Sequence, residues 1–246
     1  MLTFLIPAYN EEKRIGKTLE ALTSSFPDSK CLIVFDGNDR TPEVASKFPN
    51  VKILKFSKRL GKGRALIEGI KKIDSDDLIV LIDADLPVDV KDIKKAISII
   101  GKTDMLIGSR IYFNLPKRRL YLHKSFNALV KLFFPQLKQF VDFQAGFKLI
   151  KINSLRKVEH ELIMNDYLFD INLIYSFIKH GLKVIEYPVL WRHEELESKI
   201  SKNLFKIIIL FILSLIKLRI YYSPFKKFLN TNSYLNLQNF LLKILR

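Results

Sequence analysis

The chain has 246 residues, of which 48% are hydrophobic and 27% charged, a composition of one large globular domain, or one domain with an appendage, that excludes a disordered or low-complexity chain. Its 41 Lys and Arg outnumber 25 Asp and Glu, for a formal net charge of +16, and a single cysteine, Cys31, excludes a disulfide framework and a cysteine-based zinc module. The opening Met-Leu-Thr-Phe-Leu-Ile-Pro has no basic or long apolar leader, so no secretory signal is expected there, and a reducing compartment is.

Short apolar runs at Thr3–Ile6, Cys31–Phe35, Val51–Phe56 and Leu78–Ile82 are bounded by polar or turn residues and predict buried strands. Between them, Glu11–Phe26 and Lys62–Ile73 carry helical spacing, with Ile15, Leu19 and Leu22 on one and Leu66, Ile67 and Ile70 on the other. Asp89 is a plausible N-cap for Val90–Ile100, and Gly101 a plausible stop. This alternation predicts an α/β fold with a mostly parallel sheet and helices on both faces. In such sheets ligands bind beyond the carboxyl ends of the strands, here at Pro7–Glu11, Asp36 and Asp83–Asp85.

The charge excess is localised. Met105–Val141 holds no acid but seven bases (Arg110, Lys117, Arg118, Arg119, Lys124, Lys131, Lys138), and Lys199–Arg246 holds nine bases and no acid. These two segments account for the whole excess, and such surfaces seek phosphate in nucleic acid, anionic lipid or a phosphorylated substrate. Within the second segment, Leu204–Tyr222 is apolar on nearly every face, but its strongest stretch, Ile207–Ile216, has ten residues, about half of the ~20 of a transmembrane helix. Tyr221-Tyr222-Ser223-Pro224 breaks it, and Asn236–Arg246 follows as a second apolar and basic stretch. Helices lying in a membrane interface are favoured here over a helix packed on the domain. A single tilted span over Leu204–Tyr222 stays open. The expected division is 1–198 as a catalytic domain and 199–246 as membrane-associating helices.

Asp83-Ala84-Asp85 follows a buried strand directly, so two carboxylates could aim at one Mg²⁺ or Mn²⁺ that keeps positions for substrate phosphates. The plainer alternative is a turn that caps the next helix. Gly61-Lys62-Gly63-Arg64 could cradle a phosphate but fits neither a P-loop nor a dinucleotide fingerprint. His123, His160, His180 and His193 show no metal-ligand spacing.

Ile-Pro-Ala-Tyr-Asn-Glu-Glu at positions 6–12, the Asp36-Gly37 turn, Gly61-Lys62-Gly63, Asp83-Ala84-Asp85 and Gly108-Ser109-Arg110 occur in an order that resembles the GT-A glycosyltransferases of family 2. Later blocks, Asp142 to Lys148, Phe169-Asp170, Glu186 to Trp191 and Ser198-Lys199, look like those of the dolichyl-phosphate glucosyltransferases and mannose synthases. The resemblance covers about Leu2 to Lys199. It implies that Pro7, Tyr9, Glu11 and Asp36 hold the nucleoside, that Asp83 and Ala84 sit by the nucleotide, and that Asp85 ligates the metal on the diphosphate. Arg110 and Lys199 would neutralise phosphate charge, and Asp142 would orient the acceptor or act as a base. Two departures stand out: Asp36-Gly37-Asn38-Asp39-Arg40-Thr41 is one residue shorter than the usual second block, and Pro87 stands where mannose synthases often carry Gln.

The implied reaction moves a hexose, glucose from UDP-glucose by preference over mannose from GDP-mannose, to a polyprenyl (dolichyl) phosphate, with inversion. Arg118, Arg119 and Lys124 would receive the acceptor phosphate, and Leu120, Leu122, Phe126, Leu129, Val130, Phe133 and Phe134 would dock on lipid at an anionic membrane surface, on the cytoplasmic face. A phosphate monoester is largely dianionic at pH 7 and needs positioning more than deprotonation. A family 2 transferase for a soluble or polysaccharide acceptor and a nucleic-acid-binding module are the rival classes. The bases are interleaved with bulky aliphatics and no nucleic-acid motif is present, so no nucleic-acid partner is expected.

Overall fold

Each central strand is a run of Ile, Val, Leu and Phe because helices cover both of its faces. The computed structural model describes residues 1–73, 78–111, 117–191 and 204–245. Seven strands, β1 (Leu2–Ala8), β2 (Lys30–Phe35), β3 (Val51–Lys55), β4 (Leu78–Leu81), β5 (Met105–Ile111), β6 (Lys148–Lys151) and β7 (Val184–Leu190), form one sheet in the order β3-β2-β1-β4-β6-β5-β7. β6 runs antiparallel to β4 and β5, while the other pairings are parallel. The expected α/β architecture is therefore present, with one strand reversed.

The two-residue period of the strands sorts the core into two layers. Phe4 and Ile6 of β1 pack with α1 (Ile15–Ser25), α2 (Thr41–Ala45) and α4 (Val90–Ile99). Leu5 faces the opposite layer of α3 (Lys62–Ile70), α5 (Lys117–Phe133), α6 (Ile152–Val158) and α7 (Phe169–Lys179). A Cβ on Gly69 would come within 2.3 Å of Leu5 Cδ1, so glycine is what lets α3 lie this close to the sheet. The ends of α4 follow the sequence reading: Asp89 Oδ1 accepts from the Lys91 N–H at 2.9 Å, and Gly101 turns the chain at φ +40°.

The basic segments give part of their apolar surface to the core. Of the α5 residues assigned to lipid, Val130 is buried in the core, as is Phe134 just beyond the helix, and Phe126, Leu129 and Phe133 pack against that core. The exposed apolar side chains of α5 are Leu120, Tyr121 and Leu132. A 17-residue helix on a domain surface gives its apolar stripe to the core, and that stripe is the Phe126, Leu129, Val130 and Phe133 part of the set read as lipid-facing, while Leu120 stays exposed.

α8 (Leu204–Tyr221) docks in the same layer. Leu215 and Leu218 are fully buried, Phe211 stacks on Phe126 with ring centroids 4.2 Å apart, and Ser214 Oγ donates to Asp166 Oδ2 at 2.7 Å. Just past its end, the Tyr222 hydroxyl meets Asn172 Nδ2 at 2.9 Å and Ser176 Oγ at 2.7 Å. Its outer face leaves Ile208 and Ile216 exposed. At 18 residues α8 is about 27 Å long, and no helix among the described residues is long and apolar enough to cross a membrane. A 3-10 stretch over Pro224–Asn230 leads to α9 (Asn232–Leu245).

Candidate active site

The strand order reverses between β1 and β4, and the carboxyl ends of β1, β2, β4, β5 and β7 meet on one edge together with the start of β6. That edge gathers the sequence motifs. After β1, the Glu11 N–H donates to Thr41 Oγ1 at 2.8 Å and the Glu12 N–H to Asp39 Oδ2 at 2.9 Å, while Asp39 Oδ1 takes the Thr41 hydroxyl at 2.6 Å. Asp39 thus ties the first turn to α2. Asp36 is buried at the end of β2, and its Oδ2 accepts the N–H groups of Leu60 and Gly61 at 2.7 and 2.9 Å. This fixes the loop that opens α3, with Gly61 at φ +81°. Tyr9 is exposed, with the Arg59 guanidinium 3.8 Å over its ring, and Pro7 is half-buried.

Ala84 is buried, and its carbonyl accepts from Thr18 Oγ1 at 2.7 Å, so α1 holds the Asp83-Ala84-Asp85 turn in place. The two aspartates differ. Asp83 pairs with Lys62 Nζ at 2.5 Å. Burial pushes the Asp83 carboxyl up, but Lys62, then Lys148 and Arg110, outweigh it and hold it below the usual range. Lys62 therefore serves a carboxylate, and Arg64 pairs with Glu68 at 2.6 Å. Both cations of the supposed phosphate cradle are committed within the fold. A Cβ on Gly146 would fall 2.0 Å from Asp83 Oδ2, so the chain entering β6 presses on this carboxylate and leaves no room for a side chain.

Asp85 is half-buried, and burial and then the Asp83 charge push its carboxyl above the usual range. The cations that lower it, Arg14 and Lys62, are each committed elsewhere, to Glu11 at 2.6 Å and Asp83 at 2.5 Å. Glu11 is raised as well, first by burial, with Asp85 and Asp39 adding to it. A half-buried carboxylate destabilised by burial and like charge just beyond a strand end is what a hard divalent cation would stabilise, so the residues fit a Mg²⁺ or Mn²⁺ held by Asp85 together with a bound diphosphate. The described residues hold no cluster of three His, Cys, Asp or Glu ligands, so most of the coordination shell would come from substrate and water.

On the other side, Asp142 is buried and grips Arg110 with both oxygens: Oδ2 to Nε at 2.6 Å and Oδ1 to Nη2 at 2.7 Å. Oδ2 also takes the Arg110 N–H at 3.1 Å and Oδ1 the Gln144 N–H at 3.2 Å. Burial raises the Asp142 carboxyl, but its hydrogen bonds and charge pairing with Arg110 outweigh this and keep it low. Glu186 Oε1 holds the N–H groups of Val141 and Asp142 at 2.7 and 2.9 Å, and the Arg110 guanidinium carbon lies 5.4 Å from the Trp191 ring centroid. An orienting carboxylate fits this better than a base, since its lone pairs are spent.

Lys124 is exposed on α5. The side chains of Arg118 and Arg119, and all of Lys199, lie outside the described residues. Sequence reasoning missed the buried ion pair of Lys148 Nζ with Asp170 Oδ1, at 2.6 Å, beside the Lys62–Asp83 pair. The signal was available: a lysine between Phe147 and Leu149 in an apolar run must have a partner once buried.

The sequence profile of glycosyl transferase family 2 matches residues 3–161. A dolichyl-phosphate beta-glucosyltransferase of Trichomonas vaginalis is 30% identical over 213 residues, covering 77% of this chain and 65% of its own, so the chain spans just under two thirds of that relative's length. An undecaprenyl-phosphate mannosyltransferase of Micrococcus luteus is 24% identical, over 80% of this chain and 86% of its own. Among solved structures, glucosyl-3-phosphoglycerate synthase of Mycobacterium tuberculosis with UDP superimposes with a TM-score of 0.67 at 16% identity, over 89% of this chain and 79% of that one. This likeness shows the fold, the GT-A fold that the motif order implies. The same synthase has been solved with UDP and Mn²⁺ or Mg²⁺.

Proposed function

The chain belongs to glycosyl transferase family 2, and on that premise we propose that it is an inverting hexosyltransferase acting on a polyprenyl (dolichyl) phosphate, with glucose from UDP-glucose as the favoured donor. The observation that carries this is the meeting of two opposite sites on one sheet edge. The strained Asp85 carboxylate lies on the donor side, and the Arg110 guanidinium, clamped by Asp142, on the other. The name of the dolichyl-phosphate beta-glucosyltransferase relative supports glucose as the sugar and a lipid phosphate as the acceptor.

Tyr9, with Pro7, Asp36 and Glu11 around it, would hold the nucleoside, and Asp83 and Ala84 would shape the floor by the nucleotide. A Mg²⁺ or Mn²⁺ ion held by Asp85 supplies charge stabilisation for the leaving diphosphate when bound. Arg110, oriented by Asp142, would meet phosphate charge, with Lys199 adding to it. An acceptor phosphate oxygen forms the new bond to C1 of the sugar from the face opposite the leaving group. The C1–O bond to the nucleoside diphosphate breaks, and that group takes the electron pair. A dianionic phosphate has no proton to give up, so Asp142 is required only to orient.

A panel of UDP- and GDP-sugars with polyprenyl phosphate, read as lipid-extractable product, tests this. UDP-glucose is expected to give the largest yield. Preference for GDP-mannose would favour the second reading, which the Micrococcus relative supports, and transfer only to a soluble or polysaccharide acceptor would overturn the lipid-phosphate reading.

The 199–246 segment is proposed as a membrane-associating appendage, with the inner face of α8 docked on the catalytic domain. Exposed Ile208, Ile216, Phe225 and Phe228 adjoin exposed Lys206, Arg219, Lys226 and Lys227, and each base near an anionic surface contributes about 1 kcal/mol. Removing α8 would strip Leu215 and Leu218 from the core, so the test keeps the chain whole. Lys226→Gln with Lys227→Gln is expected to weaken binding to anionic liposomes about tenfold or more and to flatten its salt dependence. Unchanged binding would leave α8 and α9 as a packed extension only.

A further inference from the structure

His123 and Asn127 stand one turn apart on α5, so their side chains meet on one face of the helix. Asn127 Nδ2 lies 3.0 Å from His123 Nε2 and 2.5 Å from the carbonyl oxygen of Val141. An amide nitrogen only donates, so Nε2 carries the lone pair and the neutral ring bears its proton on Nδ1. Turning the amide over would set Asn127 Oδ1 against the Val141 carbonyl oxygen, two acceptors at hydrogen-bond distance. The Val141 contact therefore fixes the amide, and the amide fixes the imidazole tautomer. Asn127 is buried, and its Oδ1 is one of the buried side-chain atoms among the described residues without a hydrogen-bond partner. The N–H of that same Val141–Asp142 peptide donates to Glu186 Oε1 at 2.9 Å, and the Asp142 side chain grips Arg110.

We propose that neutral His123, acting through Asn127 and the Val141 peptide, is a positioning residue for the Asp142–Arg110 pair, coupling the basic helix α5 to the arginine that meets phosphate. This rests on the transferase reading above. Protonation would put a hydrogen on Nε2, facing the Asn127 amide hydrogens. Either the His123–Asn127 bond is lost, or the amide turns over and loses Val141. Among the described residues, the charged groups that act on the ring are Asp142 and Arg110. Burial depresses the imidazole pKa and Arg110 adds to this, while Asp142 opposes them. The neutral form therefore persists into mildly acidic solution, and positioning is lost only as the pH falls through that lowered value.

The test compares His123→Gln, His123→Ala and Asn127→Ala in the full chain, with kcat and KM for a polyprenyl phosphate measured from pH 5.5 to 8. Glutamine offers Asn127 an amide oxygen and does not titrate. His123→Ala and Asn127→Ala are expected to lose about fivefold in kcat/KM for the acceptor, with UDP affinity unchanged. His123→Gln should recover most of that loss and keep only the acid limb of the acceptor phosphate, near pH ~6. Nitrogen-15 spectra of the four histidines, with His123 assigned by its absence in His123→Gln, should show the Nδ1–H tautomer and its loss in Asn127→Ala. An Nε2–H tautomer, or equal kcat/KM in all variants of an active enzyme, overturns the proposal. A wild type that transfers to no phosphate acceptor overturns the function reading, and the positioning role with it, even if the tautomer is as stated.

Discussion

Asp85→Ala is expected to lower kcat by about 10²–10³-fold, the range seen when one electrostatic stabiliser of a transition state is removed, while leaving the fold intact. The side chain is half-buried, and its carboxyl is raised by burial and by Asp83, so its charged form is disfavoured in the folded protein. A folded-state pKa above the unfolded value means that the native state binds the extra proton at intermediate pH. Stability then falls as pH rises from the ordinary carboxylate range through the raised value. Without metal, the variant should therefore match or exceed the wild-type Tm at pH 7. Metal binding has the opposite sign, because it needs the carboxylate. Mn²⁺ affinity measured by calorimetry with UDP should fail at a higher pH on acidification than an ordinary aspartate would allow. Near-normal turnover of the variant, or a wild type indifferent to EDTA, would remove Asp85 from the metal site.

Asp142→Ala should cost both stability and activity. It removes both carboxylate contacts of the Arg110 guanidinium, which is only 16% exposed, and breaking one side of a buried pair costs about 3–5 kcal/mol. The native carboxyl is held low, so its contribution is fully present above the ordinary carboxylate pKa and is lost as pH falls through the depressed one. Replacing both partners separates structure from chemistry. Arg110→Met with Asp142→Leu should regain most of the Tm lost by Asp142→Ala, because no charge is left buried. It should nonetheless stay inactive toward the phosphate acceptor. Activity in the double variant would show that the pair serves the fold alone.

The sequence by itself determined the elements whose information is local. Thr3–Ile6 and Leu78–Ile82 read as strands because both their faces are apolar, and β1 and β4 form there. The Asp89 cap and the Gly101 stop were legible because a cap is satisfied within two residues and a positive φ within one. The edge of the sheet that holds Asp36, Asp83 and Asp85 followed from strand order alone. The roles of individual charges did not, since a charged side chain is defined by what lies across from it. Lys62 reads as a phosphate ligand until α3 brings it to Asp83, 21 positions on, and Asp142 reads as a base until Arg110, 32 positions back, takes both its oxygens. The stripe at Phe126–Phe134 is equally apolar whether it faces lipid or core. Only the tertiary structure decided that it packs toward the core, because α8 and the rest of that layer offer the stripe an apolar surface at contact distance, and burying apolar area there removes it from water.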